Sequence, residues 1–188
     1  MLKHGILGLL NYGPMTGYEI MLTFKNSLCY FWTAQTSQIY RELQTLKKNG
    51  LVSDNNIHQE GKPDKVQFSI TEEGKHELKH WLTDDSTKFD TRQPILMKTF
   101  FLGEASIAES IDFFSKLNAN ATEFLKAMDL PLEMIEMYKH GVDDPERKSL
   151  YWKMTVEYGR MYGKMIEEWT NNCITKLKEY DDNENINN

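Results

Sequence analysis

Thr36-Ser37-Gln38-Ile39-Tyr40-Arg41-Glu42-Leu43-Gln44-Thr45-Leu46-Lys47-Lys48-Asn49-Gly50 is the stretch on which the fold turns. It has the marks of one short helix. Thr36 or Ser37 is placed to cap its N-terminus, and Asn49-Gly50 to close its C-terminus. Ile39, Leu43 and Leu46 recur at i, i+4, i+7, a narrow apolar stripe that must face a core. At 3.6 residues per turn, Ser37, Arg41, Gln44 and Lys48 fall on the opposite face. Small, amide and cationic side chains are the types that reach bases and phosphates in a DNA groove. Taken alone, the segment reads first as an ordinary amphipathic surface helix. Its neighbours decide whether it reads DNA.

Upstream, Leu2 to Leu10 forms a compact apolar helix with Ile6, Leu7, Leu9 and Leu10 as its buried face, and Gly13-Pro14 follows as a break. Thr16 then caps a second helix, and Glu19 completes a Thr-x-x-Glu capping box. Ile20, Leu22 and Phe24 continue that helix. Thr16, Gly17 and Tyr18 sit at its N-terminus, whose free N–H groups suit a phosphate. Leu28-Cys29-Tyr30-Phe31-Trp32 is a dense aromatic corner, read as packing between helices.

Downstream of Gly50 the period changes. Leu51-Val52-Ser53 starts a short strand, and Val66-Gln67-Phe68-Ser69-Ile70 alternates as a half-buried strand does. The polar, turn-rich segment between them makes a β-hairpin whose tip carries Lys62 and Lys65. Three helices followed by such a hairpin is the layout of a winged helix-turn-helix. In that layout the hairpin cations lie against the phosphate backbone or the minor groove. Thr71-Glu72-Glu73 opens a fourth helix that runs through Trp81-Leu82.

The expected organisation is a DNA-binding domain over 1–83, a polar linker over 84–94, a helical dimerisation domain over 95–180 and a disordered Asn/Asp-rich tail over 181–188. The fold class is mainly α. In the second half, Pro94 to Leu102 is a short apolar helix, and Ser106 with Glu109 forms another capping box. Ile107, Ile111, Phe114, Leu117, Ala121, Phe124 and Met128 continue that helix until Pro131 breaks or kinks it. Asp144-Pro145 starts the last helix, which runs roughly 50 Å to about Tyr180. Tyr151, Met154, Tyr158, Met161, Met165 and Trp169, continued by Cys173 and Leu177, form its apolar seam. A seam of that length is most economically buried against a second copy of the chain.

Charge restricts where nucleic acid can bind. The net charge of −6 argues against a general polyanion binder. Residues 1–83 carry +1 and residues 84–188 carry −7, so any such contact belongs to the first half. The chain shows no signal peptide and no stretch long enough to span a membrane. Its two widely separated cysteines suit a reducing cytoplasm.

The residues also carry a resemblance. Ile6-Leu7-Gly8-Leu9-Leu10, Gly13-Pro14-Met15-Thr16-Gly17-Tyr18-Glu19-Ile20, Phe31-Trp32, Ser37-Gln38-Ile39-Tyr40-Arg41-Glu42-Leu43, Gly50-Leu51-Val52, Gly61-Lys62-Pro63 and Thr71-Glu72-Glu73-Gly74 resemble the PadR family of bacterial transcriptional regulators. The second half, including Met97-Lys98, is similar to the subgroup of phenolic-acid-responsive repressors and AphA-like virulence activators. The resemblance implies a homodimer of winged helix-turn-helix domains on an inverted-repeat operator in double-stranded DNA, usually as a repressor. It implies major-groove contacts from Ser37, Gln38 and Tyr40, and backbone contacts from Thr16, Gly17, Tyr18 and Lys65. It implies release by a small aromatic acid as effector, with no pocket residue carried over. To these candidates the helix geometry adds Arg41, Gln44 and Lys48, and the hairpin adds Lys62. The alternatives are an AphA-like activator and a dimeric protein-interaction module that binds no operator.

Two other signals compete. His76-Glu77-Leu78-Lys79-His80 is a literal H-E-x-x-H, the zincin signature. Its two histidines project away from Leu78, Trp81 and Leu82, which mark the buried face, and no matching third ligand follows. It reads as a solvated face, so no catalytic residue, metal ligand or cofactor is assigned. Cys29 as a redox sensor lacks a basic cluster to lower its pKa, and reads instead as a buried thiol.

Overall fold

The computed structural model describes residues 1–58, 64–85 and 92–187. Sequence order runs α1 (Leu2–Leu10), β1 (Met15–Thr16), α2 (Gly17–Thr23), a π-helical turn (Phe24–Leu28), α3 (Thr36–Lys48), β2 (Val52–Ile57), β3 (Lys65–Ile70), α4 (Glu72–Thr83), α5 (Pro94–Phe101), α6 (Ile107–Ala127), α7 (Leu130–Lys139) and α8 (Pro145–Asn187). A 3₁₀ turn over Leu102–Glu104 joins α5 to α6. The chain divides into two compact units, Met1–Thr87 with Leu130–Lys153, and Lys88–Asp129 with Met154–Asn188. Leu130–Lys153 therefore groups with the winged-helix elements, although its sequence suggested membership of the dimerisation half. Residues 86–91 of the expected linker lie outside the described residues.

In the first unit the apolar periodicities converge on one core. Ile6, Leu7, Leu9 and Leu10 of α1 meet Ile20, Phe24, the α3 stripe Ile39, Leu43 and Leu46, and Val52, Phe68 and Leu78. Burying so many branched side chains is the main driving force for this fold. β2 and β3 form an antiparallel hairpin with Val52 opposite Ile70 and Ile57 opposite Lys65. The expected hairpin is present, and β3 is the central strand. Its other edge takes Met15 and Thr16, paired with Phe68 and Gln67. This two-residue strand has no periodicity of its own, so only the ladder reveals it.

The aromatic corner does not pack as the sequence suggested. Phe31 is 49% exposed, Trp32 is exposed, and Cys29 is an exposed free thiol. The π-helical turn widens the chain path after Thr23 and carries these residues past the core. Leu22 is exposed because α2 buries Ile20 and Thr23 on its other face, while Phe24 is buried. On α4, Leu82 is likewise exposed, because the helix turns Glu77, Leu78 and Trp81 toward α1 and the core and Leu82 falls outside that face.

In the second unit α6 packs along α8. Phe114 meets Trp169 edge-on, with ring centroids 5.5 Å apart. Asn118 Nδ2 donates to the Glu167 carbonyl at 3.0 Å and to Thr170 Oγ1 at 2.8 Å, and Thr122 Oγ1 donates to Glu167 Oε1 at 2.9 Å. Thr170 is fully buried with its hydroxyl satisfied, as burial of a polar group demands. Gly163 is a packing residue: a Cβ there would stand 2.7 Å from Leu125 Cδ2. The expected end of α8 near Tyr180 is overtaken. Helix continues through Asn187, helped by Tyr180 Oη donating to Glu184 Oε1 one turn on.

Candidate nucleic-acid interface

Capping fixes where the polar face of α3 begins. The N-cap is Gln35, one residue earlier than Thr36, and Gln38 Oε1 accepts from the Gln35 N–H at 3.0 Å. Gln38 thus commits its carbonyl oxygen to the helix and keeps its amide N–H groups for other partners. At the other end Gly50 takes φ of +70°, the left-handed conformation that lets α3 stop.

With Ile39, Leu43 and Leu46 fully buried, Ser37, Gln38, Tyr40, Arg41, Gln44 and Lys48 are all exposed. Lys47 pairs with Asp54 of β2 at 2.7 Å, so that cation serves the fold. Among the described residues no ion pair holds Arg41 or Lys48, and both remain available to a polyanion. Lys65 opens β3 on the same hairpin and is exposed. Lys62 lies outside the described residues.

Tyr40 has a second role that sequence spacing does not show. An added Cβ at Gly17 would stand 2.6 Å from the Tyr40 ring, so α2 and α3 touch through a bare glycine backbone against an aromatic face. Gly17 is buried beneath that ring, which leaves Thr16 and Tyr18 as the accessible groups at the start of α2. Thr16 holds the capping box: Glu19 Oε2 accepts from Thr16 N at 2.7 Å and from Thr16 Oγ1 at 2.8 Å, and Glu19 N donates back to Oγ1 at 3.2 Å. Tyr18 is exposed beside it.

The H-E-x-x-H segment is organised differently from a zinc protease site. Glu77 Oε1 accepts from Lys3 Nζ at 2.7 Å and meets His4 Nε2 at 2.9 Å, and His4 stacks on Trp81 with centroids 4.5 Å apart. The lysine and histidine hydrogen bonds pull the Glu77 carboxyl from its ordinary value of 4.5 down to about 2. A carboxylate held ionised by two partners is a strut between α1 and α4 and a poor general base.

The six residues assigned to dimerisation lie on α8. Tyr151, Met154, Tyr158, Met161 and Met165 are exposed in the single chain, and Tyr158 reaches 69%. Trp169 differs, since it packs on Phe114 of its own chain. The seam expectation missed the opposite, inward face: Ser149, Val156, Gly159, Gly163 and Thr170 are buried there. Small residues every three to four positions were the available signal.

Residues 6–80 match the model of the transcriptional regulator PadR-like family, and residues 91–178 match the model for the virulence activator alpha C-terminal region. The negative transcriptional regulator PadR of Bacillus subtilis is 36% identical over 115 residues, covering 61% of this chain and 63% of that protein. That match spans less than two thirds of either length. The crystal structure of Bacillus subtilis PadR in complex with operator DNA is similar at a TM-score of 0.78 and 26% identity, over 94% of this chain and 98% of that one. The same protein in complex with p-coumaric acid is similar at a TM-score of 0.75 and 26% identity, with the same shares covered.

Proposed function

The chain belongs to the PadR-like family of transcriptional regulators, and we propose that it is a sequence-specific repressor that binds an inverted-repeat operator as a homodimer in the cytoplasm. The observation that carries the reading is α3. Its apolar stripe is wholly buried while Ser37, Gln38, Arg41, Gln44 and Lys48 are presented together. Ser37 and Gln38 stand in the first turn, the part of a recognition helix that reaches base edges. Arg41 and Lys48 supply phosphate contacts, and Thr16, Tyr18 and Lys65 flank them. Gly17 contributes by seating α2 on Tyr40.

In a dimer, two copies of α3 must stand about one DNA turn apart, ~34 Å, to enter successive major grooves. The exposed face Tyr151–Met154–Tyr158–Met161–Met165 supplies the contact between copies. A small aromatic acid is the proposed effector class, because a relative of known structure holds p-coumaric acid. The match of residues 91–178 to a virulence-activator region supports activation as the second reading.

Fluorescence anisotropy on a duplex from the protein's own upstream region tests the proposal. Replacing Ser37, Gln38 and Arg41 with Ala is expected to weaken binding about a hundredfold, as lost base and phosphate contacts of 1–3 kcal/mol each would. An unaltered affinity for the triple variant would exclude α3 as the reading element.

A further inference from the structure

α2 is the helix on which α3 rests, and the segment Leu130–Lys153 touches the chain just after it and, upstream, at Tyr12. At the C-terminal end of α2, α7 packs against the π-helical turn Phe24–Leu28. Before the N-terminal end, Trp152 at the start of α8 reaches Tyr12. Trp152 Nε1 donates to Tyr12 Oη at 3.1 Å, and the two rings meet edge-on at 5.5 Å. Lys148 Nζ lies 5.1 Å from the centre of the same Tyr12 ring.

The segment is itself braced. Lys139 bridges Glu146 at 2.8 Å and Glu136 at 4.0 Å, Lys153 reaches Glu136 at 3.3 Å, and Lys148 pairs with Asp143. α7 and the first turns of α8 therefore form one elbow rather than two loose helices. It bears directly on the π-turn that continues α2 and, through Tyr12, on the turn that follows α1, and α2 passes its placement to α3 through the Gly17–Tyr40 contact, where no Cβ would fit. The π-turn continues α2 directly, and its extra residue per turn makes it a natural point of adjustment between α2 and the chain that leads to α3.

We infer that the elbow Leu130–Lys153 is a working part of the DNA-reading unit, with Trp152 and Lys148 as positioning residues that set where α3 stands. The inference rests on the operator-binding reading above. It also means that residues 1–83 by themselves lack the element that fixes their recognition helix.

Operator affinity of the full chain, measured well below the melting temperature, tests this. Trp152→Ala is expected to weaken binding about tenfold while far-UV circular dichroism and the light-scattering mass stay as in the wild type. Trp152→Phe, which keeps a ring edge on Tyr12, should restore affinity to within about threefold. If Trp152→Ala fails to fold, the double variant Glu136→Gln/Glu146→Gln takes its place. It removes only surface ion pairs of the elbow, and a loss of about threefold or more is expected. Wild-type affinity in a folded Trp152→Ala chain, or in the double variant where Trp152→Ala is unfolded, overturns the inference. A wild-type chain that binds no duplex overturns instead the operator-binding reading.

Discussion

α3 and α8 solve opposite problems with the same helical geometry. α3 places its three large apolar residues inward, all of them inaccessible to solvent, and turns polar groups outward. α8 does the reverse over much of its length. Small residues and one satisfied threonine face α6, while tyrosines and methionines face out. The first helix is complete within one chain, whereas the second leaves a long apolar face uncovered. A monomer rarely exposes so continuous a patch, so α8 is shaped for a second surface. The same contrast extends to α5, where Leu96, Met97, Phe100 and Phe101 are all exposed and Phe100 reaches 82%.

The comparison breaks most readily at the α8 seam. Tyr158→Glu together with Met161→Glu places charge in the middle of the outward face. Light scattering should then report a monomer at concentrations where the wild type is dimeric, and operator affinity should fall with it. A dimer that survives both substitutions would mean that α8 is not the contact. The core side gives the next largest effect. Leu43→Ala should lower unfolding free energy by about 3 kcal/mol in urea titrations, through lost transfer energy and the cavity left behind. Met161→Ala, compared below the dimer dissociation constant, should change it by less than about 0.5 kcal/mol. Equal costs at the two sites would erase the distinction between a finished and an unfinished helix.

The smallest effect concerns the α1–α4 strut. With the Glu77 carboxyl at about 2 when folded and 4.5 as its ordinary value, folding favours the ionised form. Its contribution is complete above about pH 4.5 and is lost as the pH falls toward 2. Glu77→Gln should therefore cost about 1 kcal/mol at pH 7, a value kept low by the partial exposure of the pair. The gap to the wild type should close progressively between pH 4.5 and pH 2. A gap that stays constant with pH would show that the carboxylate is not the group at work.

Much of the chain was legible because its residues obey local rules. The Thr16–Glu19 and Ser106–Glu109 capping boxes form as their spacing requires. The α1 face and the α3 stripe are buried as their periodicity demands. The errors share a cause. Cys29, Phe31, Trp32 and Leu82 are apolar or small and read as inward by residue type, yet a π-turn carries the first three outward and Leu82 falls outside the face that α4 turns to the core. Residue type states what burial would gain, and only the chain path states whether burial occurs.

By itself, then, the sequence determined the winged-helix order, the capping boxes at Thr16 and Ser106, the core stripes and the polar face of α3, since each depends on neighbours within a turn or two. Tertiary structure alone decided the pairing of β1 with β3, the engagement of Glu77 with Lys3 and His4, and the grouping of Leu130–Lys153 with the first unit. Those facts join residues between about 50 and 140 positions apart in the chain, as Tyr12 and Trp152 show. No local pattern encodes such contacts, because their free energy appears only when the whole core has formed.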